Sequence, residues 1–172
     1  MRTSSKALLR AQAFDSPISN PVVVSMIQSH TGGNWVKTRQ RSVTPGGFQM
    51  KQEEDGMDAG HNTEVYGWIA VSSGAGSVGG STFEAIVTAD AVTHNPYTVS
   101  YSASFSQQPA VFGAMQTFDG GDPSHLRLEQ TGSSSCKVFV EEETCSDAEL
   151  AHTTETVGIL AMEPNVSTPH PC

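Results

Sequence analysis

Five polar features recur along this chain in the same order, and their side chains are of kinds that bind or catalyse. Gln28 returns as Gln116, Arg39 as Arg127 and Glu53-Glu54 as Glu141-Glu142, each 88 residues later. His61 and Glu64 return as His152 and Glu155 at an offset of 91, after three inserted residues. A carboxylate pair with a nearby His can hold a divalent cation, and oxygen-rich sites suit calcium. The same carboxylates can instead pair with the recurring Arg across neighbouring strands. They can also hydrogen-bond a sugar lying on an aromatic face, for which Trp35, Tyr66 and Trp68 are the candidates. Glu53 and Glu54 are adjacent at a strand end and point to opposite faces. They therefore do not flank a bond as the carboxylates of a glycosidase do. With no nucleophile elbow, phosphate loop, zinc helix or CxxC motif, the chain reads as non-enzymatic.

The same repeat supplies the elements that must position these groups. Pro21-Val22-Val23 matches Pro109-Ala110-Val111, and Gly32-Gly33-Asn34 matches Gly120-Gly121-Asp122. Val-rich Pro21 to Ile27 suits a largely buried strand. Val36 to Val43 alternates, Thr44-Pro45-Gly46-Gly47 turns the chain, and Phe48 and Met50 share the buried face of the next strand. Tyr66 to Val71 is a further apolar strand. The second copy repeats this order over 109–117, 125–130, 136–142 and 155–162, and Phe83 to Ala89 and Tyr97 to Phe105 add two strands. Only Ser4 to Ala13 offers any helical pattern. Short strands with Gly and Pro turns predict an all-β fold of two tandem antiparallel β-sandwich units. The expected boundaries are an N-terminal extension at 1–13, a first unit at 14–73, a flexible Gly/Ser linker at 74–82, a second unit at 83–162 and a Pro-rich tail at 163–172.

The 172 residues are enough to bury a substantial core, and charged residues make up only 16% of them. That composition is too apolar for wholesale disorder and too poor in helix formers for a bundle. A net charge of −9 argues against nucleic acid as partner. No apolar run is long enough to span a membrane. The basic N-terminus lacks the apolar stretch of a signal peptide, so the chain is either intracellular or a processed piece of a larger secreted precursor. Cys136 and Cys145 bracket a strand and turn and either bridge or remain thiols. Cys172 is left over near the C-terminus and could link to another chain. Asn165-Val166-Ser167 is a glycosylation sequon. Together these features lean towards an extracellular protein.

Phe14-Asp15-Ser16-Pro17, Asn20-Pro21-Val22-Val23-Val24-Ser25, Ser42-Val43-Thr44-Pro45-Gly46-Gly47-Phe48 and Trp68-Ile69-Ala70 together resemble the H-type lectin domain. The likeness covers residues 14–71 and, more distantly, 83–162, where Cys136 replaces the Phe and Ile159 the Trp. It implies a six-stranded antiparallel sandwich that often assembles into trimers or hexamers and binds galactose or N-acetylgalactosamine without calcium. The family's sugar-gripping Arg falls at Trp35 and its Trp-His pair at Asp55-Gly56, so that sugar specificity does not transfer. The candidate ligand-binding residues are therefore Trp35, Arg39, Glu53, Glu54, His61 and Glu64, with Arg127, Glu141, Glu142, His152 and Glu155 in the second copy. The reading that follows is an extracellular adhesion or recognition module that binds carbohydrate, takes glycans or matrix components as partners and self-associates. It needs no cofactor, with calcium as the one candidate ion. The alternative is a structural subunit of a secreted filament or surface layer. The first copy looks one strand short. Either a neighbour's 1–13 or 163–172 tail fills the gap by strand exchange, or strands within 83–105 serve both copies.

Overall fold

A computed structural model describes residues 9–54, 61–144 and 148–164. The described residues form strands and loops without a helix, and all strand pairing is antiparallel. The first half holds β1 (Arg10–Ala13), β2 (Pro21–Ile27), β3 (Val36–Thr44), β4 (Gly47–Glu54) and β5 (Tyr66–Ser72). The second holds β6 (Gly74–Val78), β7 (Ser81–Val87), β8 (Tyr97–Ser100), β9 (Ala110–Met115), β10 (Ser124–Thr131), β11 (Ser135–Glu142) and β12 (Val157–Met162). The sheets run β1-β4-β3 and β2-β5 in the first half, and β10-β11-β8 and β6-β7-β12-β9 in the second.

The alternation in the sequence decides what each layer buries. Val23 of β2 meets Phe48 and Met50 of β4, with Phe14, Val43, Tyr66 and Ala70 around them. In the second half, Val99, Cys136, Val138 and Val140 face Met115, Val157 and Ile159. Burying such side chains stabilises the fold by roughly 1.5–3 kcal/mol each. A third, smaller cluster lies between the halves, where Val22 of β2 packs on Ala85 and Leu160.

Strand pairing recurs with the sequence offset. Val36 pairs with Glu54 as Ser124 pairs with Glu142. Tyr66 pairs with Ile27 as Val157 pairs with Met115; β8 takes the place of β1, with Tyr97 opposite Val138 as Arg10 is opposite Met50, one residue out of the 88-residue offset. The halves differ at one edge. β12 is flanked by β9 and β7, whereas β5 pairs with β2 alone among the described residues.

Three expectations are corrected. Gly74–Val78 is not a flexible connector, because its backbone pairs with β7 from Gly74↔Ala85 to Val78↔Ser81. A Cβ on Gly76 would come 2.8 Å from the Phe83 ring, so a residue without a side chain lets that ring cover the strand. Arg10–Ala13 is a strand of the first half, neither helix nor extension. Among the described residues β7 pairs with β6 and β12 and β8 pairs with β11, all in the second half, so β7 and β8 are not shared with the first. Residues 1–8 and 165–172, which include Asn165 and Cys172, lie outside the described residues, as does Cys145.

Candidate functional site

The recurring polar residues converge at the joint between the halves, where one set from each copy forms a single buried ion cluster. Arg39 is carried on β3, on the face turned towards the second half, and is only 2% exposed. Its Nη1 donates to Glu53 Oε2 at 3.0 Å and to Ser124 Oγ at 2.8 Å. Its Nη2 donates to Glu155 Oε1 at 3.2 Å. Glu53 is held besides by Lys51 Nζ at 2.8 Å and by the Ser124 N–H at 3.3 Å. The Phe118 ring lies beneath both cations, 3.5 Å from Lys51 Nζ and 4.5 Å from the Arg39 guanidinium carbon, which adds cation–π attraction.

On the second-half side Glu155 accepts from Thr117 Oγ1, from the Asp119 N–H at 3.1 Å and from His152 Nε2 at 3.0 Å. The other ring nitrogen, Nδ1, lies 2.6 Å from Glu142 Oε1. An imidazole placed between two carboxylates can donate to both only as the cation. Burial alone would lower the His152 pKa, but its bonds to Glu155 and Glu142 outweigh that and raise it. Burial pushes the Glu155 carboxyl up. The His152 bond, the Thr117 hydroxyl, the Asp119 amide and the Arg39 charge overcome it and hold that carboxyl below its ordinary value. Charges thus alternate along Lys51, Glu53, Arg39, Glu155, His152 and Glu142, the arrangement that keeps buried ions compensated.

A second clasp lies beside the first. The buried Gln116 side chain grips the outer edge of β2, accepting from the Val23 N–H at 2.7 Å and donating to the Pro21 carbonyl at 3.1 Å. It satisfies two backbone groups that the β2-β5 pairing leaves open.

Of the candidates from the sequence, Arg39, Glu53, Glu142, His152 and Glu155 meet in the cluster. Arg127 and Glu141 form the equivalent Arg–Glu pair of the second copy, joined by His125 Nε2 at 3.1 Å, but that pair lies on the surface. His61 and Glu64 form their own group in the first half, with Ser29 Oγ and the Thr31 N–H donating to Glu64. The Ser29 bond, working against partial burial and aided by Thr31 and Gly32, holds the Glu64 carboxyl below its ordinary value. Glu54 sits near Asn34. Trp35 stands 85% exposed, away from the cluster. Trp68 is half-buried against Phe14 and Phe48. Lys51, Phe118 and Ser124 were missed by the sequence reading, since their counterparts Phe139, His30 and Val36 differ in kind.

The carboxylates that a cation would need are engaged by Arg39, Lys51 and His152. Among the described residues no group of three His, Cys, Asp or Glu side chains is arranged to hold a metal ion. No described helix is long and apolar enough to cross a membrane. Cys136 is a buried thiol whose pKa is raised by burial.

The fold and this joint define an all-β protein of several antiparallel sheets, its halves clamped by buried ions. No family model matches the chain, and no solved structure matches it significantly. Among curated proteins it is similar to Halomucin of Haloquadratum walsbyi (strain DSM 16790 / HBSQ001), with 32% identity over 153 residues. That match covers 86% of this chain, and the chain spans 2% of the length of that relative.

Proposed function

We propose that the chain is a non-enzymatic structural module of an extracellular or surface protein, built from two copies of one H-type-lectin-like β-sandwich unit docked against one another. The observation that carries this reading is the joint itself. The residues that recur between the copies neutralise one another across it, with Arg39 and Glu53 on one side and Glu142, His152 and Glu155 on the other. Carboxylates so paired serve cohesion and leave no acid or base poised beside an open cleft. The likeness to Halomucin over a small part of that protein's length supports an extracellular or surface setting and a place within a longer polypeptide. Labelling intact source cells and their medium with an antibody to the chain tests the setting. Signal on intact cells or in the medium is expected, and signal only after lysis overturns it.

Recognition of glycans is the second reading. Trp35 favours it, since an indole this exposed offers a stacking face, and the side chain of its neighbour Asn34 reaches the Glu54 carboxylate at 3.5 Å. A glycan array separates the two. Binding that is lost in Trp35→Ala supports recognition, and silence on all glycans leaves the structural role.

A further inference from the structure

Each half closes on a last strand, β5 in the first and β12 in the second, and only β12 is paired along both edges. β9 lies on one side of β12 and β7 on the other, from Gly158↔Val87 to Met162↔Phe83. β5 pairs with β2 along one edge, and among the described residues no strand pairs with the other. The register fixes which groups are open there. The Gln28 N–H donates to the Val65 carbonyl and the Ser73 N–H to the Asn20 carbonyl. Alternate residues of β5 therefore turn their backbone groups to β2, and Tyr66, Trp68 and Ala70 turn theirs outward. Their counterparts Val157, Ile159 and Ala161 face β7. The Val157 carbonyl accepts from the Thr88 N–H, and Ile159 and Ala161 lie opposite Ile86 and Glu84.

The side chains around the two edges differ in the same sense. Ile159 shares a cluster with Ile86 and is wholly buried, whereas its counterpart Trp68 is 37% exposed. Glu84 of β7 is buried, and its carboxylate accepts from the Ser102 N–H at 2.8 Å and the Ala103 N–H at 2.9 Å. In the first half the Phe14 N–H donates to the Gly46 carbonyl as the Tyr101 N–H donates to that of Ser134, which puts Asp15 and Ser16 in the places of Ser102 and Ala103. Among the described residues the Asp15 and Ser16 amides have no hydrogen-bond partner. A backbone cradle that takes a strand's side chain in one half thus stands open in the other. The chain also shows how such a strand is supplied. β7 follows β5 through β6, yet it completes the second half and not the first. One unit passes its trailing strand to the next.

We propose that the outer edge of β5 is an acceptor for an extended strand from another unit of this repeat, the one that trails that unit's last strand as β7 trails β5. An open edge is a template for pairing, and strand addition fills it. The incoming strand runs antiparallel to β5 and exchanges backbone bonds with Tyr66, Trp68 and Ala70, while an apolar side chain in the place of Ile86 covers Trp68. Asp15 stands where the Ser102 hydroxyl donates to Glu84, and its carboxylate would repel a second one. The incoming residue opposite Ala70 is therefore a neutral acceptor such as Gln, not Glu. The proposal rests on the reading of two copies of one unit and adds the partner that the first copy takes.

Amide hydrogen exchange of the full chain, followed by NMR, tests this, with a synthetic peptide of residues 80–88 carrying Glu84→Gln as the probe. In the free chain the Trp68 and Ala70 amides are expected to exchange quickly, while the Ile69 amide, turned towards β2, stays protected. Peptide at millimolar concentration is expected to protect Trp68 and Ala70 and to shift the Asp15 and Ser16 amide resonances. The same peptide with Ile86→Pro lacks the N–H that faces Trp68 and is expected to bind at least several-fold more weakly. Trp68 and Ala70 amides already protected in the free chain would mean that its own residues cover the edge, and would overturn the proposal. So would exchange unmoved by the peptide, or equal binding of the Ile86→Pro peptide. A chain that ignores the peptide but still labels intact cells leaves the extracellular setting standing and removes only this partner.

Discussion

Arg39 and Glu155 lie 116 positions apart in the chain and meet at 3.2 Å across the joint, each almost wholly withdrawn from water. Neither is stable there alone. The Arg39 guanidinium is compensated by two carboxylates, one from each half, and Glu155 is compensated by Arg39 and His152 together. Removing one member of such a buried set leaves the others as uncompensated charges, which costs about 3–5 kcal/mol. Arg39→Met, which keeps much of the volume, is therefore expected to lower unfolding stability by about that amount in chemical denaturation. Arg127→Met, on the surface, is expected to change it by no more than about 0.5 kcal/mol in dilute solution. Equal effects from the two variants would contradict the assignment of the joint.

The two repeated glutamines give a similar contrast with no charge involved. Gln116→Ala strips partners from the Val23 N–H and the Pro21 carbonyl in a buried setting. The expected cost is roughly 1–3 kcal/mol. Gln28→Ala alters an exposed side chain of the same type and should stay within about 0.5 kcal/mol. Hydrogen exchange at the Val23 amide offers a local check, since its protection should fall in Gln116→Ala and persist in Gln28→Ala.

How far this was legible in the sequence depended on which physical signal each element carried. Pro21–Ile27 and Gly47–Glu54 announce themselves because side chains at their apolar positions enter a core. Gly74–Val78 was misread because it joins the sheet by backbone pairing and contributes small side chains, so periodicity had little to register. The cluster was half legible. Recurrence between the copies singled out Arg39, Glu53, Glu142, His152 and Glu155. It could not show that the two copies supply opposite sides of one joint. It also hid Phe118 and Ser124, because they contact Arg39 at the joint while their counterparts His30 and Val36 differ in kind, so recurrence could not single them out.

Protonation gives the joint a window of pH. His152 has a raised pKa in the folded chain, so its contribution is complete below the ordinary value of 6.5 and is lost as pH rises through the raised value. Glu155 has a lowered pKa, so its contribution is complete above the ordinary 4.5 and is lost as pH falls through the lowered value. Both are present between 4.5 and 6.5. Thermal melts across pH are expected to place the cluster's maximal contribution there, with a decline on the alkaline side that flattens in His152→Gln. A wild-type alkaline limb no steeper than that of the variant would show His152 to be uncharged at the joint.

The glycine beneath that histidine provides the last test. Gly120 lies so close to the His152 ring that a methyl group cannot be added without moving one of them. The ring has little room to yield, since Glu142 and Glu155 hold it from both nitrogens at 2.6 and 3.0 Å. Gly120→Ala should therefore lengthen at least one of those bonds and leave a carboxylate without its proton donor. The His152 pKa, followed by NMR, is expected to fall back towards its ordinary value, because the bonds that raise it are the ones displaced while burial, which lowers it, remains. Stability should drop with it. Gly121→Ala is the control, as a Cβ there meets nothing within 4 Å. An unchanged His152 titration in Gly120→Ala would mean that the ring is held by something other than its two carboxylates.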